Sequence, residues 1–153
     1  MSDADMMQLY SKRILALAAD IPHLGRLEDA DGSAMKRSPQ CGSTVTAHLR
    51  MEDGRIAAFG QEVRACALGQ ASAGVLGKAV IGARREDVAR GAAQLQAMLK
   101  EGGPVPDAPW QGLEVLVPAR DYPNRHASIM LCWLAVLDAI DAAEAGQGQS
   151  ASG

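Results

Sequence analysis

Ser43-Thr44-Val45-Thr46-Ala47-His48-Leu49-Arg50-Met51-Glu52-Asp53-Gly54 begins as a strand and ends as a turn. Val45, Ala47, Leu49 and Met51 are apolar, and they alternate with Thr44, Thr46, His48 and Arg50. Side chains of a strand point to opposite faces in turn, so a period of two marks a half-buried strand. Glu52-Asp53-Gly54 is a hairpin signal, because Asp and Gly tolerate the positive φ that a tight turn demands. Arg55 to Val63 is then the return strand. Its apolar residues Ile56, Ala58, Phe59 and Val63 do not alternate cleanly, which predicts a bulge near Gly60.

The segments on either side are helical. Met6, Leu9, Tyr10, Ile14 and Leu17 recur at helical spacing, predicting an amphipathic helix over residues 5–19 that Pro22 and Gly25 end. Residues 26–38 show no periodicity and read as an exposed loop. Cys66 to Ile81 reads as a helix of small residues. Gly69, Gly74 and Gly77 each cost about 1 kcal/mol there relative to alanine, which close packing against a sheet would explain. Val88, Ala92, Leu95 and Leu99 put one apolar face on a helix from Arg84 to Leu99. Gly102-Gly103-Pro104-Val105-Pro106 breaks the chain, and Leu113 to Val117 is a short apolar element. Pro123 precedes a last helix, Asn124 to Ala145. The pattern predicts a single α+β domain over residues 1–145, a small antiparallel sheet with helices packed on one face. The Gly/Ser/Gln run 146–153 reads as a disordered tail.

Composition excludes several classes of function. The 153 residues suffice for one domain with a real core, and the formal net charge is −3. That charge gives no reason to expect nucleic acid or an anionic membrane as a partner. An aromatic content of 3% leaves few platforms for base stacking. No apolar run approaches the roughly 18 residues of a membrane span, and the acidic start Met1-Ser2-Asp3-Ala4-Asp5 lacks the basic region of a secretory signal. Three cysteines are an odd number for a disulfide framework, so a reducing cytoplasm with thiols kept for metal or sulfur chemistry fits better. There is no catalytic triad, P-loop or dinucleotide fingerprint.

Two cysteines stand at the ends of regular elements. Ser38-Pro39-Gln40-Cys41-Gly42-Ser43 opens the first hairpin strand, and Ala65-Cys66-Ala67-Leu68-Gly69-Gln70-Ala71-Ser72-Ala73 opens a helix. The positive end of a helix dipole favours an anionic side chain, and thiolate is the form that binds soft metals or accepts sulfur. Cys41 and Cys66 are too far apart in sequence for a local clip, so only the fold can pair them. His48, on the polar strand face, and His23, near a turn, read as solvated.

These motifs, with Tyr122-Pro123-Asn124-Arg125 leading into Leu131-Cys132-Trp133, resemble the NifU-like N-terminal domain, the IscU/SufU family of iron–sulfur cluster assembly scaffolds. Tyr10 and Pro22-His23-Leu24-Gly25 look like that family's N-terminal motif, and Gly102 to Val117 resembles the extra segment of the SufU branch. The resemblance covers residues 6–145 and implies a SufE/NifU-like fold. The function it implies is that of a scaffold or carrier, binding iron or a nascent Fe–S cluster through cysteine thiolates. It implies a cysteine desulfurase and apo Fe–S acceptor proteins as partners. A zinc-bound sulfurtransferase is the alternative, as is an interaction protein that kept the fold without the metal site.

The family's first two cysteines carry over to Cys41 and Cys66. Its aspartate is Ser43 here, and its third cysteine aligns with Ser128. Two residues compete to complete the ligand set: His126, in the first turn of the last helix, and Cys132, one turn beyond Ser128 in an apolar setting. Arg125 precedes the implied pocket, where a guanidinium would stabilise thiolate or bound sulfide.

Overall fold

The computed structural model describes residues 11–39 and 42–152, with side chains described as far as residue 146. Helix α1 spans Lys12–Ala19, capped by the Ser11 hydroxyl, which accepts from the Ile14 N–H. The rest of the helix expected over residues 5–19 lies outside the described residues. Three strands follow, β1 Gly32–Arg37, β2 Thr44–Glu52 and β3 Arg55–Arg64, forming an antiparallel sheet in the order β1-β2-β3. Helices α2 Ala67–Ala79 and α3 Arg85–Glu101, a 3-10 helix Gln111–Asp121 and the long α4 Pro123–Ser152 complete the chain. The α+β architecture is the expected one. The span of α4 includes most of the segment expected to form a tail.

The β2–β3 hairpin forms as its pattern predicts. Asp53 and Gly54 have φ of 53° and 76°, the double left-handed turn. The irregularity sits elsewhere than near Gly60. Arg50 pairs with Ala58 and Met51 with Ile56, so the extra residue is Ala57. The segment expected to be an exposed loop contains β1. Its inward residues are Gly32, Ala34 and Lys36, and they carry no apolar alternation because α4 lies directly on them. A Cβ at Gly32 would meet Ala143 N at 2.5 Å and Ala143 Cα at 2.9 Å. Lys36 Nζ pairs with Asp138 of α4 at 2.9 Å.

The core lies between the inner sheet face and the helices. Val45, Ala47 and Leu49 of β2 pack with Leu68, Leu76, Leu95, Trp133 and Ile140. The three α2 glycines serve three different contacts, of which one is with the sheet. A Cβ on Gly77 would press on the Gln61 side chain of β3 at 3.0 Å, one on Gly74 on Leu17 O of α1 at 2.9 Å, and one on Gly69 on Ser128 Oγ of α4 at 2.7 Å. The 3-10 helix is fastened by Arg120, whose Nε donates to Met98 O at 2.7 Å and Nη2 to Gly103 O at 2.6 Å. Those bonds occupy carbonyls at the α3 C-terminus. Trp110 and Trp133 meet edge to face, centroids 4.9 Å apart. On the outer sheet face His48 is buried rather than solvated, with Ser33 Oγ on one ring nitrogen and Glu62 Oε1 on the other, both at 2.8 Å.

Candidate functional site

Cys66 is the N-cap of α2, with extended backbone (φ −65°, ψ 168°) and no side-chain capping bond. Its thiol is therefore not spent on the helix. Cys66 Sγ lies 3.5 Å from Ser128 Oγ, and that hydroxyl donates to Ser43 Oγ at 3.3 Å. Three elements thus meet at one point: the start of α2, the first turns of α4, and the residue before β2. Gly69 makes the approach possible, since any side chain there would collide with Ser128. Ser43 and Ser128 are buried, while Cys66 is partly exposed. The β1–β2 connection is pinned at its base, with Ser38 N–H donating to Ser43 O at 2.9 Å and Gly42 N–H to Ser38 O at 3.0 Å. Gly42 adopts φ of +72°, a conformation glycine reaches without steric cost. Cys41, in this connection, lies outside the described residues.

His126 is not brought to Cys66. Residues two apart on an α-helix project about 200° apart, so when Ser128 faces Cys66, His126 faces away. Its ring is buried, and Nε2 lies 2.8 Å from Ala119 O. A carbonyl only accepts, so Nε2 is the protonated nitrogen. Arg125 is different. It lies three residues before Ser128, hence on the same helix face, and is half-buried. Its backbone N–H donates to Tyr122 O at 2.9 Å, and its guanidinium has no hydrogen bond or ion pair among the described residues.

Cys132 lies one turn behind Ser128 and is 1% exposed. Its Sγ is 3.5 Å from Ser72 Oγ. Ser72 gives its proton to Ile129 O at 2.8 Å and accepts from the Trp133 indole N–H at 3.0 Å. The oxygen therefore has only a lone pair left for Cys132, which must stay a protonated donor. Burial raises this thiol to about 12. Sequence reasoning singled out neither Ser72 nor the contact between Gly69 and Ser128. A serine inside a small-residue helix carries no signal of its own, but the cost of Gly69 in a helix did. Among the described residues no three His, Cys, Asp or Glu side chains come together to hold a metal. The donors at the described part of the site are one thiol and two hydroxyls.

Residues 9–119 match the family described as NifU-like N terminal domain. The chain belongs to this family, the IscU/SufU iron–sulfur cluster assembly scaffolds. An iron–sulfur cluster assembly scaffold protein IscU of Thermotoga maritima is 26% identical over 132 residues, 86% of this chain and 92% of the relative. The crystal structure of a nitrogen-fixing NifU-like protein (N-terminal) from Brucella abortus is 41% identical, with a TM-score of 0.89 over 92% of this chain and 97% of that one. A putative scaffold protein for the SUF system of Fervidobacterium islandicum has a TM-score of 0.77 over 88% and 98% of the two chains. At 21% identity that likeness supports the fold alone. No helix among the described residues is long and apolar enough to cross a membrane.

Proposed function

We propose that this NifU-like chain carries iron or a nascent iron–sulfur cluster as cargo, held by the thiolates of Cys41 and Cys66, and passes it to acceptor proteins in the cytoplasm. The function is binding and transfer, without turnover. The observation that carries this reading is the convergence of Cys66, Ser128 and Ser43 within hydrogen-bond range. These are three of the four positions at which the family pattern has its cysteines and aspartate. The fourth, Cys41, stands two residues before Ser43, and two residues of chain reach about 7 Å at most.

The two serines give the site its character. A neutral hydroxyl is a poor ligand for a soft metal, so two thiolates would hold the cargo, with positions left open to water or an incoming thiol. Ser128 and Ser43 would hydrogen-bond the cargo or the Cys66 thiolate. Arg125, on the Ser128 face, would offset the negative charge. His126 and Cys132 fall outside this ligand set, the first because it faces away and the second because it is a buried, protonated donor. A cysteine desulfurase as sulfur source and apo Fe–S proteins as acceptors follow from the family.

Anaerobic purification followed by iron, acid-labile sulfide and zinc analysis tests the reading. Iron with sulfide is expected, lost in Cys41→Ser and Cys66→Ser and retained in His126→Ala and Cys132→Ala. One zinc with no iron would favour the sulfurtransferase alternative. No metal at all, with both cysteines intact and reduced, would leave an interaction protein.

A further inference from the structure

A second feature lies beside the β1–β2 connection, away from Ser128, and His126 is among the residues that line it. It is a groove of about 460 Å³, within the range of ligand-sized clefts, about 300–1,000 Å³. Its floor is α4, presenting Met130, Leu131 and the 40%-exposed Leu134. One wall is the end of β1 with Arg37, and the other is the last turns of α3 with Lys100. Met130, Leu131 and Leu134 repeat at helical spacing on a face about 60–160° from that of Ser128, so the groove and Ser128 lie on different sides of α4.

Charge sets this groove apart. The chain as a whole is acidic, net −3, yet among the described residues no Asp or Glu lines the groove, while Arg37 and Lys100 both do. Both are exposed, and neither has an ion-pair partner among the described residues. An apolar floor between two unneutralised cations suits a ligand that is apolar in the middle and anionic at its edges. We propose that the groove is a docking site for a segment of a partner protein in which carboxylates flank leucine-sized side chains. The leucines fill the floor over Leu134, and the carboxylates meet Arg37 and Lys100. Charge complementarity of this kind supplies specificity and speed of encounter, while the buried apolar contacts supply affinity. Ser38 and Pro39 complete the β1 wall and lie within three residues of Cys41 in sequence. A partner so docked is held next to the connection that bears Cys41. The proposal does not rest on any metal being bound.

The test uses the full chain and a fluorescein-labelled peptide, DELLDELLDELL, with KKLLKKLLKKLL as the charge-reversed control. Fluorescence anisotropy should show saturable binding of the acidic peptide, weakened by salt, and little binding of the control. The double variant Arg37→Glu, Lys100→Glu should lower affinity by roughly tenfold or more, and Leu134→Asp should lower it comparably. Amide shifts in the ¹⁵N spectrum should concentrate on residues 37–39, 96–100 and 127–134. All substituted side chains are exposed, so the variants should melt with the parent, which separates lost docking from lost folding. No saturable binding up to millimolar protein, equal binding of the two peptides, unchanged affinity in both variants, or shifts confined to another face would each overturn the proposal. Metal content is measured separately, so failure here is distinguishable from failure of the cluster reading.

Discussion

Replacing Gly69 with alanine tests whether the close approach of α2 and α4 is what assembles the thiol site. In an open helix this change stabilises by about 1 kcal/mol. Here the new Cβ would sit 2.7 Å from Ser128 Oγ, 2.9 Å from Ala65 Cβ and 3.1 Å from Ser128 O. Ordinary contact begins near 3.4 Å, so about 0.7 Å must be found at the hydroxyl and 0.3 Å at the backbone. Rotating Ser128 relieves only the hydroxyl, at the cost of its contacts with Cys66 and Ser43. Relieving both requires α4 to move. Overpacking of this kind costs about 1–3 kcal/mol, so after the helix gain a net loss of about 1 kcal/mol is expected. Urea unfolding measures that loss, and the iodoacetamide rate in a Cys41→Ser background reads the site. The Cys66 thiol should react at least about twofold faster, because its neighbour has shifted. Adding Ser128→Ala removes one of the two clashes with Ser128 and should recover about 0.5 kcal/mol or more as coupling. A Gly69→Ala variant that gains the full helix stabilisation, reacts like the parent and shows no coupling would refute the reasoning.

Restoring the family pattern with Ser128→Cys and Ser43→Asp should slow iron release to a chelator, since two anionic ligands replace two hydroxyls; unchanged release would mean that these positions do not face the cargo. Cys132 should make the chain lose stability in alkali. Its thiol is raised from 9.0 to about 12, so the unfolded chain ionises first and the stabilisation, complete below pH 9, drains away as pH rises toward 12. By pH 10 the loss is about 1.4 kcal/mol. Cys132→Ala should lack that loss, and parallel stability curves for the two proteins would count against the buried, protonated thiol. Gly91→Ala should lower stability by about 1–3 kcal/mol, although alanine favours helix, because its Cβ would stand 2.7 Å from Trp110 Cδ1 and 2.8 Å from Trp133 Cζ3. A thermal melt that rises instead would show that the tryptophans yield readily.

The β2–β3 hairpin was legible because its inner face is apolar and its turn needs Asp and Gly. The same logic hid β1. Packing α4 within backbone contact of Gly32 leaves no room for the large side chains that announce a strand. Lys36 hides the signal further, since it points inward only because Asp138 waits on α4. The bulge was misplaced because alternation fails along much of β3, whereas register fixes the extra residue at Ala57. At the site, aligning Ser43 and Ser128 with the family's ligand positions identified Ser128, which meets Cys66, and Ser43, which meets Ser128. Helical phase was the information left unused for His126. A residue two places from Ser128 cannot share its face, and that could have been read without coordinates.

The edge-to-face tryptophans give the molecule an optical gauge of its own. Trp110 leads into the 3-10 helix, and Trp133 adjoins Cys132 and bonds to Ser72. They are the only two indoles in the chain, and both are fully buried. The two rings touch at 4.9 Å and 84°, so each changes its surroundings if the 3-10 segment leaves α4, and emission and near-ultraviolet dichroism should report that docking without any attached dye. Ser72 lies on the helix that Cys66 caps. If cargo loads at Cys66 as proposed, any resulting shift of that helix would reach the indole hydrogen bond of Trp133, where a spectrometer would follow it in real time.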